Sequence, residues 1–458
     1  MRNPGEVGCM LFPRSHNQGP GTGKTGQETA ALSLGGETSL ARDIRWLAQF
    51  CCARACFSFI FTAYAAALPL LRTDWSMSAA QAGMVQSAWH LGYLVSLFIV
   101  GFLGDRFGAK RTYMWSAVAA SFSALVFAVF SASFPSGVVL YGIAGLCSGG
   151  SYTPGLTLIA ERFPPATRGR AMGYYVAAGS FGYALSIILS SRLFPIGGWR
   201  LAFLVTCSMP MVGLAISVWA MRNVPNLVHA AYGGRQIWQE MPAVMRNKAA
   251  LLSMLAYSFH CWELLGMWAW LPAYLAAATR TAAGGLATAS TVGLGVLLSG
   301  LTYFTSMLGS LIGGTLSDKW GRSLSMMLFS CISLAFSFSF GWMLGWPLMV
   351  LFAVAAIYNL ASIADSSIYS TALTELVEPR YIGAAYAVRS VMGFGAGVVS
   401  PWVFGLVLDL MRGGASGNDG LGWGLAWISI GLGGLPTPLM IWWLRKRPEA
   451  IRMARGLR

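Results

Sequence analysis

The sequence predicts an all-α membrane protein, with twelve transmembrane helices in two six-helix bundles. Three observations lead there. Hydrophobic residues make up 56% of the 458 and charged residues only 10%, with a mean hydropathy of +0.60, so a soluble chain of this length would expose large apolar surface. Apolar runs long enough to cross a hydrocarbon layer of about 30 Å recur twelve times. One loop pattern occurs twice, 213 residues apart. A membrane barrel is excluded, because its strands would be about ten residues long and would alternate apolar with polar.

The elements follow in chain order. Residues 1–44 are rich in Gly, Thr, Ser and Gln without an apolar period, and read as a disordered cytoplasmic leader. Within them GPGTGKTG, Gly19 to Gly26, resembles a phosphate loop, but Gln18 stands where the first glycine belongs and no strand precedes it. The leader lacks the apolar region of a cleavable signal peptide, and an upstream start-codon misassignment would also account for it. An N-terminal bundle at 45–221 holds spans at about 46–71, 80–104, 112–134, 137–160, 170–192 and 199–221. A polar linker at 222–248, with NVPNLVHAAYGGRQ, leads to a C-terminal bundle at 249–445. Its spans fall at about 249–277, 290–316, 323–344, 346–373, 382–410 and 421–444, and a basic cytoplasmic tail follows at 446–458.

The net charge of +15 is topological. With a cytoplasmic N-terminus, 24 of the 31 Lys and Arg fall on the cytoplasmic side. Five lie on the outer side (Arg72, Arg192, Arg200, Arg280 and Arg412) and two within spans (Arg54 and Arg389). Membrane lipid headgroups, and not nucleic acid, are therefore the expected partners of this charge. Both termini come out cytoplasmic, in what reads as a bacterial inner membrane. Seven of the eight cysteines fall inside spans, so no framework of loop disulfides is available. Cys52 and Cys56 share a helix face and could form a soft-metal site with Met254, His260 and Met267, although free Cys and Met ordinarily pack. No metal or other cofactor is assigned.

The repeat makes the architecture specific. GFLGDRFGAKR after the second span and GTLSDKWGRS after the eighth share G-x-L-x-D-[RK]-x-G, placing Asp105 and Asp318, and Gly108 and Gly321, 213 residues apart. A second echo pairs Glu161 with Glu375 and Pro165 with Pro379 at 214. These loops, together with GWR at Gly198 to Arg200, resemble the major facilitator superfamily of secondary transporters across about residues 45–445. The resemblance implies two helix bundles rocking about a central site near the midplane. It also implies that the loop holds the cytoplasmic side closed in the outward-facing state. The gating residues are then Gly101, Asp105, Arg106, Gly108, Lys110 and Arg111, with Gly314, Asp318, Gly321 and Arg322 in the second copy. Small glycines let helix ends approach, and Asp105 can pair with Arg106 or another basic neighbour. A tight turn marked by positive charge would explain Lys110 and Arg111 alone.

Charged residues or histidines stand deep inside spans at Arg54, His90, His260, Glu263, Asp365 and Arg389. Such residues normally face a cavity or a partner, and the resemblance makes spans one, four, seven and ten cavity-lining. Arg54, Glu263 and Asp365 are therefore expected to supply charge to one chamber. His260, Glu263 and Met267 share one helix face, while Tyr358, Ser362, Asp365 and Tyr369 share another, and the two stripes can face each other. Desolvation favours the proton-bound form of a carboxyl, which is the chemistry of proton coupling. A structural ion pair, for instance Arg54 with Asp365, is the competing reading.

The expected function is a secondary transporter, a symporter moving a small-molecule substrate by alternating access with protons, with a small organic anion ahead of a metal ion or neutral metabolite. A nontransporting sensor on the same fold is the alternative. An enzyme is not expected, since no nucleophile-base set, HExxH or complete phosphate loop is present. Tyr141 stands where many proton-coupled relatives of the family carry arginine, and GSFGYALS replaces the GPxxGG of drug:proton antiporters.

Overall fold

A computed structural model describes the chain apart from residues 1–24, 229–233, 287, 379–380, 413–418 and 458, and gives only the backbone of 25–40, 165–166, 234–239 and 412. Most of the expected leader, part of the linker and Pro379 thus lie outside the described residues. The chain divides into two compact units, Met1–Trp46 and Leu47–Arg458, and the bundles lie within the second.

Fifteen α-helices follow one another among the described residues: α1 Thr25–Asp74, α2 Ala79–Phe107, α3 Ala109–Phe130, α4 Phe134–Ser148, α5 Thr153–Arg162, α6 Pro165–Ala220, α7 Gly234–Arg246, α8 Lys248–Ala282, α9 Ala289–Trp320, α10 Arg322–Ser339, α11 Leu348–Ala364, α12 Ser366–Leu376, α13 Ile382–Arg412, α14 Asp419–Gly434 and α15 Pro436–Arg445. Among the described residues, nine stretches of helix are long and apolar enough to cross a membrane, and one of these, Thr167–Ala220, carries two of the expected spans. The broken fourth span and the seventh, α8, complete the twelve. Large apolar side chains such as Leu91, Phe98, Phe122 and Val129 are exposed along α2 and α3, as a helix facing hydrocarbon requires.

The ends of the helices have local causes. Ser78 caps α2 in a reciprocal box with Gln81, and Asp409 of α13 accepts the amides of Ala79 and Ala80 at 2.8 and 2.7 Å. Gly197 and Gly198 interrupt α6 with non-helical dihedrals, Gly198 at φ 64°, and so turn the fifth span into the sixth.

Three spans expected to be continuous are interrupted. The fourth passes through a 3₁₀ turn at Gly149–Ser151 before Pro154, and the freed amides of Gly149 and Gly150 donate to Ser96 and Ser116 at 3.2 and 3.1 Å. The tenth breaks at Asp365, between α11 and α12. In the twelfth, Leu435 stays helical and donates to the Gly431 carbonyl at 2.8 Å, and the ladder lapses only where Pro436 and Pro438 lack amides.

Packing differs between the two ends of the molecule. Near its first turn, α2 lies so close to α13 that a Cβ on Gly83 would overlap the carbonyl of Pro401, and one on Gly405 that of Ala79. On α6 and α9, a Cβ on Gly293 would come 2.8 Å from the Ser191 carbonyl, and one on Gly300 2.9 Å from Ile188. Eighteen residues make about five turns and return to the same helix face. At that spacing from Gly83, Pro401, Ser191 and Ile187 stand Gly101, Gly383, Gly173 and Gly169, and none has an atom within 4 Å of its would-be Cβ. The bundles touch at one end and stand apart at the end that carries Asp105 and Asp318.

Candidate functional site

Between the bundles, each half presents a buried arginine held in the same way. Arg54 of α1 donates from Nη1 to Ser151 Oγ at 2.8 Å, and its guanidinium lies over the rings of Tyr152 and Tyr175 at 5.5 and 5.7 Å. Ser151 is available because the fourth span breaks there, and Tyr175 Oη fixes its backbone by donating to its carbonyl at 2.5 Å. Gly179 makes room on α6, since a Cβ there would lie 3.3 Å from Arg54 Nε. Arg389 of α13 donates from Nη1 to Ser370 Oγ at 2.7 Å and lies over Tyr257 and Tyr386 at 4.5 and 4.6 Å. In both arginines Nε has no hydrogen-bond partner and no carboxylate pairs the guanidinium among the described residues.

His260 and Asp365 come together in the second half, Nδ1 to Oδ1 at 3.1 Å, with both side chains buried. His260 Nε2 contacts Ser366 Oγ at 2.7 Å, and the ring sits between Tyr257 and Tyr369. The expected alternative of Arg54 with Asp365 is therefore not what forms. Neither oxygen of Asp365 has an aligned hydrogen-bond donor.

Glu263 departs from expectation. It does not share a chamber with Arg54 but turns into the core of its own bundle, where Oε1 accepts from Ser333 and, at 2.7 Å, from Ser337 on α10. Ser333 and Ser337 in turn meet Ser362 at 2.8 Å and Tyr358 at 2.5 Å. The two stripes read from the sequence do meet, through His260 with Asp365 and through the serines of α10. Those serines, with Ser151, Ser370 and the cradle tyrosines, are not legible as site residues in the sequence, because isolated hydroxyls are ordinary in membrane helices.

His90 lies nearer the closed end, in a seam too narrow to hold a water molecule, lined by Phe61, Thr62 and Gln86 of its own half and by Leu265 and Trp268 of the other. Both of its ring nitrogens and Gln86 Oε1 are buried without partners.

The two copies of the duplicated loop differ between halves. Gly108 and Gly321 both take left-handed backbone, φ 88° and 93°, which only glycine adopts freely. In the second copy Arg322 bonds Asp318 at 2.6 Å, Ser317 at 2.7 Å and Glu375 at 3.0 Å. In the first, Asp105 is exposed and makes no pair among the described residues, and Arg106 lies over Phe107 at 5.2 Å instead of meeting it. Lys110 donates to the Val224 carbonyl at 2.6 Å and the Arg111 amide to Asn226 at 3.1 Å, so the linker straps this loop. Gly101 and Gly314 face open space. The basic tail also packs back: Met453 is buried, and the Ala454 amide donates to Glu375 at 3.0 Å.

Duplicated helical bundles about a polar site are the architecture of a membrane transporter. The description of the Major Facilitator Superfamily matches residues 50–401, and the chain belongs to that family. Among curated relatives it is 22% identical to the hexuronate transporter of Bacillus subtilis over 76% of this chain and 84% of that one. It is 27% identical to the niacin transporter NiaP of Acinetobacter baylyi over 29% of this chain and 30% of the relative. Several other relatives match over about half their own length. The crystal structure of a D-xylose-proton symporter superposes with a TM-score of 0.70 at 17% identity, covering 89% of this chain and 98% of that one, which shows the shared fold.

Proposed function

We propose that the protein carries a small organic anion across a bacterial inner membrane by proton-coupled alternating access, with both termini cytoplasmic. The observation that carries this reading is the pair of buried guanidiniums, Arg54 and Arg389, one on each half, each tethered through Nη1 and lacking a carboxylate. The tether leaves the Nε–Nη2 edge free, and that edge engages a carboxylate through two parallel hydrogen bonds. An anion bound by both would neutralise both and draw the halves together. Relatives named for hexuronate and niacin, each a carboxylate, agree with this choice. His260 with Asp365, beside Arg389, supplies groups able to exchange protons with the same chamber. Separation of the halves at the Asp105 end then corresponds to an inward-facing state, with the Asp105 latch released.

Uptake of labelled glucuronate, nicotinate and xylose into proteoliposomes, with and without a pH gradient, tests the reading. Accumulation of a carboxylate against its gradient, driven by the pH difference, is the expected result. Accumulation of xylose alone, or fluxes indifferent to pH, would contradict it.

A further inference from the structure

We propose that Glu263, with Ser333, Ser337, Ser362 and Tyr358, forms a binding site for the coupling cation, set inside the second half and apart from the chamber that admits the substrate.

Glu263 is 3% exposed, near the middle of α8, and no Lys, Arg or His pairs with it among the described residues. Its hydroxyl neighbours have one proton each. Ser333 and Ser337 give theirs to Oε1, so Ser362 must donate to Ser333 and Tyr358 to Ser337. Two O–H groups thus donate to one carboxylate oxygen, and two more stand behind them as donors to the serines. They suit the anion, yet they bring no net positive charge, and an uncompensated carboxylate in the hydrocarbon layer is costly. The oxygen left for the missing charge is Oε2, since Ser333 and Ser337 both donate to Oε1. Gly434 at the end of α14 presents no side chain there, and a Cβ on it would stand 3.1 Å from Oε2. Because residue 438 is proline, the Gly434 carbonyl receives no amide from the next turn. The titratable groups in electrostatic range of Glu263 are Tyr358 and Asp365 from the broken tenth span and Tyr369 on α12, while α10 and α14 add hydroxyls and glycine.

A carboxylate ringed by hydroxyls and walled in by α8, α10, α11 and α14 takes a small monovalent cation and excludes an organic anion. A proton would bond to Oε2 directly. Na⁺ would sit on Oε2 and the lone pairs of the hydroxyls. The site rests on the transporter reading above, but its occupancy can be tested without a known substrate.

Infrared difference spectra of the purified protein between low and high pH, in choline chloride and in NaCl, read the carboxyl stretch directly. A band lost in Glu263→Gln, and kept in Asp365→Asn, is expected. Suppression of that band by NaCl assigns Na⁺, and indifference to NaCl assigns the proton. Identical spectra for wild type and Glu263→Gln, each with the wild-type melting temperature, would overturn the site. For whichever of glucuronate or nicotinate the wild type carries, Glu263→Gln should lose gradient-driven accumulation at least about tenfold, with the KM for exchange unchanged. A raised KM would overturn the separation of ion from substrate. If no probe is carried, the spectra still decide the cation site, and only the substrate reading fails.

Discussion

The carbonyl of Pro401 lies against the bare Cα of Gly83, so close that the two halves of the molecule meet there through backbone alone. Five turns further along the same faces, a Cβ on Gly101 or Gly383 would have no atom within 4 Å. This contact, with those of Gly405, Gly293 and Gly300, marks the closed end of this state.

Replacing that glycine should shift the conformational balance. Gly83→Ala puts a methyl group into a backbone carbonyl that cannot move like a flexible side chain, and overpacking of this kind costs about 1–3 kcal/mol. The variant is expected to favour states parted at this end. Labelling of a cysteine introduced at Ala80 should quicken, and turnover should fall by about tenfold. Unchanged labelling would show that the seam is not a gate.

The arginine cradles make a chemical prediction. Arg54→Lys and Arg389→Lys keep the charge but lose the two-pronged edge, so the KM of a carboxylate substrate should rise by roughly tenfold or more, in line with about 1.5–3 kcal/mol for a charged hydrogen bond. Ser151→Ala and Ser370→Ala only release the tether and should raise KM several-fold. A wild-type KM in the lysine variants would argue that charge alone is read.

Asp105 and Arg322 occupy matching loops but should behave differently. Asp105→Asn removes a carboxylate that is unpaired here, so melting temperature and substrate affinity should stay unchanged while turnover slows. Arg322→Ala breaks bonds to Asp318, Ser317 and Glu375 that exist in this state, and should lower the melting temperature by a few degrees, roughly. Thermal scans beside initial rates separate the two.

The tail should matter to stability. Met453→Asp places a charge in the packed cluster that Met453 and Ala450 share with Ile441 and Leu444, and is expected to destabilise the second half by about 1–3 kcal/mol. A melting temperature equal to wild type would show the tail to be dispensable.

What the sequence by itself determined is local or periodic. Span positions follow from apolar length, the duplication from spacing, and the loop glycines Gly108 and Gly321 from a backbone conformation that other residues resist. Mid-span charges marked residues that the structure buries, Arg54, His90, His260, Glu263, Asp365 and Arg389. The tertiary structure decided which way those charges point. His260 and Glu263 are three residues apart and differ by about 60° around the helix axis, close enough to be read as one face. That angle sends His260 to Asp365 and Glu263 to the serines of α10, because neighbouring helices divide the face between them. The breaks at Gly149 and Asp365 were equally hidden. A helix in hydrocarbon can open only where other helices satisfy the freed backbone, and the hydroxyls of Ser96 and Ser116 that do so lie more than thirty residues away in the chain.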